Sequence, residues 1–391
     1  MQLVSRPMYV VGEDQFKMLT NSKVLIYFPH GVGDWVFLSQ ILPYLDPSNE
    51  YFVTRIGDHN VSLFDGCEHA TPIYSGIADT HASAELMGNT SHLNYNSSFH
   101  GRQELTMTDT MSNQIDRHGI THAAFLLGFP DPYLQKEAPW HSKARYNTYR
   151  YVNMGRKASN FFGDFHPTVN MTVHDETDSI IRPALQDFIG DGKLCVICPS
   201  GFHNNRRDWG ITNRDGLHSY QEVRDFMNVM KENDPSWKFL LMSMFDKNDE
   251  PYLESDLLDC KSYSGLIPND LLFGHAIKSI LNLASLAVSS DTGPLHIALC
   301  RRDLPVVGVW NTCLPWNYDE PRSGFVNVIS KNVVDGGFIN MIGGYIADAM
   351  GADYVERYNL ILSQGSRMEG HEVFDAAQKA IAQCSRLVPA S

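Results

Sequence analysis

The feature that most constrains this chain is a unit that recurs along it. A short, continuously apolar run ends in a turn of glycine, proline or small polar residues, and a helical apolar pattern often follows. The first example is Lys23–Phe28 (KVLIYF), which leads into Pro29-His-Gly-Val-Gly-Asp34 and then Trp35, Leu38, Ile41, Leu42 and Leu45 at helical spacing. Uninterrupted apolar runs of this length read as strands buried on both faces, and such strands belong to parallel sheets covered by crossover helices. Further strands are expected at Tyr51–Arg55, Leu194–Cys198, Lys238–Met244, Ala284–Ser289, Pro305–Trp310 and Phe325–Ile329. Leu217, Tyr220, Val223, Met227 and Met230 mark one helix face, and helices are expected near 269–283, 294–301 and 371–387. The alternation predicts an α/β fold with right-handed crossovers. A chain of 391 residues exceeds the size of one hydrophobic core. The polar stretch FHPTVNMTVHDETDSIIRPAL, at about 165–190, reads as a boundary. Two Rossmann-like domains are expected, residues 1–180 and 181–391, with the last helix free to return onto the first. Residues 75–118, rich in His, Ser, Thr, Asn and Met, read as a large loop or insertion with some helix.

Charge narrows the classes of partner. There are 45 acids against 31 Lys and Arg, a formal net charge of −14. A nucleic-acid track needs a basic face, and a polybasic membrane grip needs the same, so both are disfavoured. No apolar run reaches the roughly 18 residues of a transmembrane segment, and the N-terminus lacks a signal-peptide pattern. Seven cysteines, an odd number, suit a reducing compartment, and a cytoplasmic protein is expected. Cys195 and Cys198 form one C-x-x-C without a second pair, and strand residues three apart face opposite sides, so core packing is expected there. The histidines between 81 and 122 fit no ligand spacing, and no metal site is expected. The stretch 139–163 (PWHSKARYNTYRYVNMGRKASNFFG) interleaves Lys and Arg with aromatics and has no acid. It reads either as a surface for an anionic or sugar substrate or as a helix whose Arg stems cover apolar surface.

Chemistry concentrates after three of the strands. In Gly31-Val-Gly-Asp34 the third glycine of a dinucleotide fingerprint is missing and an aspartate stands at the helix start, where it either caps the helix or faces a ligand. In Ser289-Ser-Asp-Thr-Gly-Pro-Leu-His296, Gly293 permits close backbone approach, Pro294 suits a first helical turn, and the free amides can hold a diphosphate. His296 is placed to donate to a phosphate oxygen. In Pro199-Ser-Gly-Phe-His-Asn-Asn-Arg-Arg-Asp-Trp209, Ser200 and Gly201 make an anion turn, while Arg206 and Arg207 either fork onto phosphate or pair with Asp208 and Asp215.

Together these segments resemble glycosyltransferase family 9, the heptosyltransferase family, over Val24–Leu45 and from Cys195 to about Trp316. The family fold is GT-B, two Rossmann-like parallel α/β domains facing a cleft. VLIYFPHGVGDWVFLSQILPYL is similar to the family's opening strand, G-D turn and helix, and SLAVSSDTGPLHIALCRRDLPVVGVW to its D-T-G-x-x-H donor motif. PSGFHNNRRDW is similar to the segment with a basic residue two before a Trp, with Arg207 where the family has lysine. The resemblance implies an inverting, metal-independent glycosyltransferase without a cofactor. Asp34 would be its general base. Gly33, Ser200, Gly201, Arg206, Arg207, Asp291, Thr292, Gly293, Pro294 and His296 would hold the donor, ADP-heptose or another nucleotide-diphosphate sugar. The acceptor would be a glycan, small molecule or other hydroxyl compound, with no acceptor residues assigned. Two alternatives stand beside it: a GT-B-like sugar-nucleotide epimerase, and a non-catalytic nucleotide-sugar-binding protein.

Overall fold

A computed structural model describes residues 2–11, 13–28, 31–77, 101–125, 169–198, 220–242, 259–268, 270–290, 292–310, 323–329 and 369–385. The chain divides into two compact units between Thr177 and Asp178, and one later segment, Asp270–Lys278, belongs with the first.

The first unit is built on a six-stranded sheet in the order β4-β3-β2-β6-β1-β5. Its elements are β1 (Leu3–Val11), α1 (Glu13–Met18), β2 (Lys23–Tyr27), α2 (Val32–Ile41), β3 (Glu50–Thr54), α3 (Asp58–Val61), β4 (Thr71–Pro72), β5 (Gly101–Thr108), α4 (Asp109–His118) and β6 (His122–Phe125). Short 3₁₀ turns follow α2 (Leu42–Tyr44) and α3 (Ser62–Phe64). All neighbours run parallel except β1 and β5, which pair antiparallel from Leu3↔Thr108 to Val10↔Gly101. The central β2 is buried almost throughout, as expected of a strand covered on both faces. By contrast, β5 exposes Arg102, Glu104 and Thr106 while burying Leu105 and Met107. That half-polar alternation explains why a strand is not legible in the stretch 75–118. Its described residues are 75–77 and 101–118, and the latter are an edge strand running directly into a helix, the helix being part of the expectation. Thr108 caps α4 by accepting the Met111 amide at 3.1 Å, and Gly119 ends it at φ 65°. The N-terminal β1 was likewise unforeseen.

The second sheet is parallel throughout, in the order β12-β11-β10-β7-β8-β9. Its strands are β7 (Lys193–Cys198), β8 (Trp237–Leu241), β9 (Cys260–Ser262), β10 (Ala284–Ser290), β11 (Val306–Trp310) and β12 (Phe325–Ile329). The helices are α5 (Asp175–Ile189), α6 (Tyr220–Asn233), α7 (Tyr263–Leu266), α8 (Phe273–Leu283), α9 (Gly293–Cys300) and α10 (Gly370–Ser385). The expected boundary stretch is largely helical, with Pro183 inside α5. The C-terminal helix packs in the second unit. Val373, Ala377 and Ala380 are buried in one core with Phe226, Met230, Val307 and Val309 of the second. Cys195 belongs to the same core, where burial pushes its thiol up, with Cys260 adding to the effect. No helix among the described residues is long and apolar enough to cross a membrane.

Asp270–Lys278 is held to the first unit by a polar cluster around Asp65. Tyr74 Oη donates to Asp65 Oδ2 at 2.5 Å, and His275 Nε2 bonds the same oxygen. The buried Lys278 donates to the Asp65 carbonyl at 3.1 Å, and the Phe273 amide donates to His59 Nδ1 at 3.0 Å. The His275 ring stacks on His174 with centroids 4.1 Å apart. Gly274 permits the approach, because a Cβ there would lie 2.4 Å from Ser62 Oγ. Burial pushes the Asp65 carboxyl up, but the His275 and Tyr74 hydrogen bonds and the Lys278 charge outweigh it and hold the group below its usual range.

A folded-state pKa below the unfolded one stabilises fully above about pH 4 and is lost as pH falls through the folded value. Asp65→Asn is therefore expected to lower stability near neutral pH by about 1.5–3 kcal/mol, the range for hydrogen bonds to a charged group. The difference from wild type should shrink as pH drops below 4. Urea unfolding at pH 7 and pH 3 checks both.

Candidate functional site

Each sheet reverses its strand order once. In the first unit β2, β3 and β4 progress to one side while β6 lies on the other side of β2. In the second, β7, β8 and β9 progress one way and β10, β11 and β12 lie the other way from β7. Ligands of open α/β sheets bind outside the carboxyl ends of the strands at such switch points. The sequence motifs fall there. The Gly31–Asp34 turn leaves the carboxyl end of β2. The segments 199–209 and 291–296 leave β7 and β10, whose ends are in register at Ser289↔Cys198.

The helices that start at these points are not capped by side chains. Gly31 occupies the N-cap of α2 and Thr292 the N-cap of α9, and neither helix has a side-chain cap bond. Elsewhere Thr108 and Ser262 cap α4 and α7 in the ordinary way. A helix start whose N-cap residue makes no cap bond, at the positive end of the helix dipole, suits an anion or a developing negative charge. Asp34 is the third residue of α2, and the N-cap position, one of the two readings for Asp34, is occupied by Gly31. Gly33 lies beside it, half-buried.

Thr292 turns its hydroxyl inward. It lies 2.9 Å from Ser289 Oγ and donates to Cys198 Sγ at 3.5 Å, while Cys198 donates to the Met242 carbonyl at 3.4 Å. The contribution left to Thr292 at the helix start is its backbone. Gly293 and Pro294 form the first turn of α9, with Pro294 buried. His296 is the fourth residue of α9 and only 5% exposed, so it is a buried histidine beside the helix start rather than a surface one. Asp34's carboxylate, Ser200, Gly201, Arg206, Arg207 and Asp291 lie outside what the structure describes, as does the stretch 139–163.

One carboxylate at this sheet edge was missed. Asp58, after β3 and next to β2, is buried and accepts from Ser75 N and Oγ at 2.7 Å each and from Gly76 N at 2.9 Å. Burial pushes its carboxyl up in spite of those bonds. It ties the loop after β4 to the loop after β3. Its sequence signal, Gly57-Asp58 followed much later by Ser75-Gly76, is too dispersed to read locally.

Comparison with solved structures places this fold. The chain is similar to a glycosyl transferase family 9 structure from Veillonella parvula, at 11% identity and a TM-score of 0.53, covering 93% of this chain and 98% of that one. It is also similar to the iron-containing dodecameric glycosyltransferase TibC of enterotoxigenic E. coli H10407, at 9% identity and a TM-score of 0.52, covering 94% of this chain and 81% of that one. No family model and no curated protein matches the sequence. The fold is thus the two-sheet GT-B architecture that the sequence resemblance implied.

Thr292→Val is expected to cost about 1 kcal/mol, the usual value of a lost neutral hydrogen bond. If the start of α9 holds a diphosphate, the same change should leave that affinity within about threefold, because the hydroxyl is already engaged with Ser289 and Cys198. Urea unfolding and calorimetric titration report the two separately.

Proposed function

We propose that this protein is an inverting, metal-independent glycosyltransferase that moves a sugar from a nucleotide-diphosphate donor to a hydroxyl acceptor. ADP-heptose is the first donor to test, on the strength of the family resemblance. The observation that carries the reading is the pair of uncapped helix starts at the two switch points, one adjoining Asp34 and the other formed by Thr292, Gly293 and Pro294.

The chemistry needs two things. Charge that builds on the departing diphosphate must be met by fixed donors and dipoles. The amides at the start of α9 are such donors, and Arg206, Arg207, Ser200 and Gly201, on the segment after the neighbouring β7, are assigned to the same task. His296 and Asp291 are assigned to the donor sugar and diphosphate. The acceptor hydroxyl must also lose its proton to a base, and Asp34 is assigned that role. The oxocarbenium-like sugar then takes the acceptor oxygen on the face opposite the departing diphosphate, which inverts its configuration.

A thermal-shift panel of ADP-, GDP-, UDP- and dTDP-sugars tests the donor. A ligand at 100 times its Kd should stabilise the fold by about 2.7 kcal/mol. Stabilisation by none of them would remove the donor assignment. Product analysis without acceptor separates transfer from epimerisation, since an epimerase alters the donor sugar alone.

Transfer is expected to survive EDTA. A loss restored by magnesium or manganese would contradict metal independence. Asp34→Asn should change stability by under about 1 kcal/mol, since it removes a charge near a helix start and keeps the shape of the side chain. If Asp34 is the base, turnover should fall by about 10²–10⁴ while donor binding persists. Transfer within about threefold of wild type, under conditions where chemistry limits the rate, would exclude Asp34 as the base.

A further inference from the structure

We infer that Trp35 is the positioning residue for Asp34, acting through an aromatic clamp with Phe28 and Phe64. The inference rests on Asp34 being the base. Asp34 is the third residue of α2, so its backbone goes where that helix goes. The helix start offers little to fix that direction, since Gly31 at the N-cap and Gly33 beside Asp34 contribute no side chain. One residue after Asp34 the chain supplies a fixed group.

Trp35 is fully buried. Its ring meets Phe28 edge-on, with centroids 5.8 Å apart and planes at 68°, and meets Phe64 with centroids 5.3 Å apart and planes at 82°. Edge-to-face pairs at these separations are attractive beyond their area burial. Phe28 is fixed where β2 ends, its amide donating to the Thr54 carbonyl at 2.9 Å. Phe64 belongs to the 3₁₀ turn Ser62–Phe64. The clamp thus joins a strand end, a helix start and a turn on the crossover from β3 to β4. It sets the direction in which α2 leaves the sheet, and with it the placement of the residue before Trp35.

The buried indole Nε1–H has no hydrogen-bond partner among the described residues. A phenylalanine would pack here without that cost. What tryptophan adds is the reach to touch both flanking rings. A group that is merely core would contribute to stability alone. A positioning group also acts on turnover, because a base displaced by about an ångström can lose on the order of 10²-fold in rate.

The test uses the full chain with Trp35→Phe and, from the other side of the clamp, Phe64→Leu, which is remote in sequence from Asp34. For each, kcat under chemistry-limited conditions, donor Kd and melting temperature are measured. Both variants should lose about 10–100-fold in kcat with donor Kd within about twofold. The decisive measurement is the double variant Asp34→Asn with Trp35→Phe. If Trp35 acts through Asp34, adding Trp35→Phe to Asp34→Asn should lower kcat by less than about threefold, a strong non-additivity. If Trp35→Phe fails to fold, Phe64→Leu carries the same comparison in the Asp34→Asn background. Lower melting temperatures with unchanged kcat would overturn the inference and leave a structural tryptophan. Additive losses would overturn it as well, since Trp35 would then act elsewhere. Asp34→Asn with wild-type turnover would overturn the base assignment and this inference together, whereas an inactive Asp34→Asn beside fully active clamp variants overturns this inference alone.

Discussion

The burial of the central strands on both faces is the constraint on which the rest depends. Val24 and Ile26 in β2, Leu194 and Ile197 in β7, and Leu286 and Val288 in β10 are without solvent exposure. Such strands pair in parallel under covering helices, and parallel pairing requires a crossover between each strand and the next. Every crossover delivers its turn to one edge of the sheet. The carboxyl edge therefore collects the Gly31–Asp34 turn in one unit and the Thr292–His296 helix start in the other, without any direct interaction being needed to gather them. At those two helix starts the N-cap residues, Gly31 and Thr292, make no side-chain cap bond.

Polar groups in the first unit serve placement. Asp58 draws its oxygens onto Ser75 and Gly76, and Asp65 gathers Tyr74, His275 and Lys278. Both carboxylates lie in the stretch from β3 to β4, Asp58 at the start of α3 and Asp65 just after the Ser62–Phe64 turn that meets Trp35. Leaving a buried carboxylate without such donors would be costly, so these bonds fix the loops to single conformations. The edge is consequently built from irregular backbone that is nonetheless over-determined.

The described helices also show how local and distant signals divide. Thr108, Met111 and Gly119 write the limits of α4 in a span of a dozen residues, and some helix is expected in that stretch, but the strand β5 just before it is not, because its open face carries charged residues. The strand exists because β1, a hundred residues earlier, offers it a partner. Propensity cannot anticipate that, since pairing at an edge depends on the neighbour. In the same way Pro183 sits inside α5, and the N-cap position of α2 falls to Gly31, three residues before Asp34.

By itself the sequence determined the α/β class, the parallel strands with their apolar runs, the turns that bear chemistry, and the core character of Cys195. Each is a local pattern: a run of buried residues, a glycine pair, a proline after a small-residue turn. Only the tertiary structure decided that the turns after β7 and β10 start from neighbouring strand ends, that Thr292 spends its hydroxyl inward, and that His296 is buried. It alone placed Asp270–Lys278 with the first unit through Asp65, brought Phe64 onto Trp35, and packed the last helix against α6. These are contacts between residues far apart in the chain. Their energy depends on geometry that no window of sequence contains, because burial and hydrogen-bond partners are properties of the assembled sheet and not of the segment.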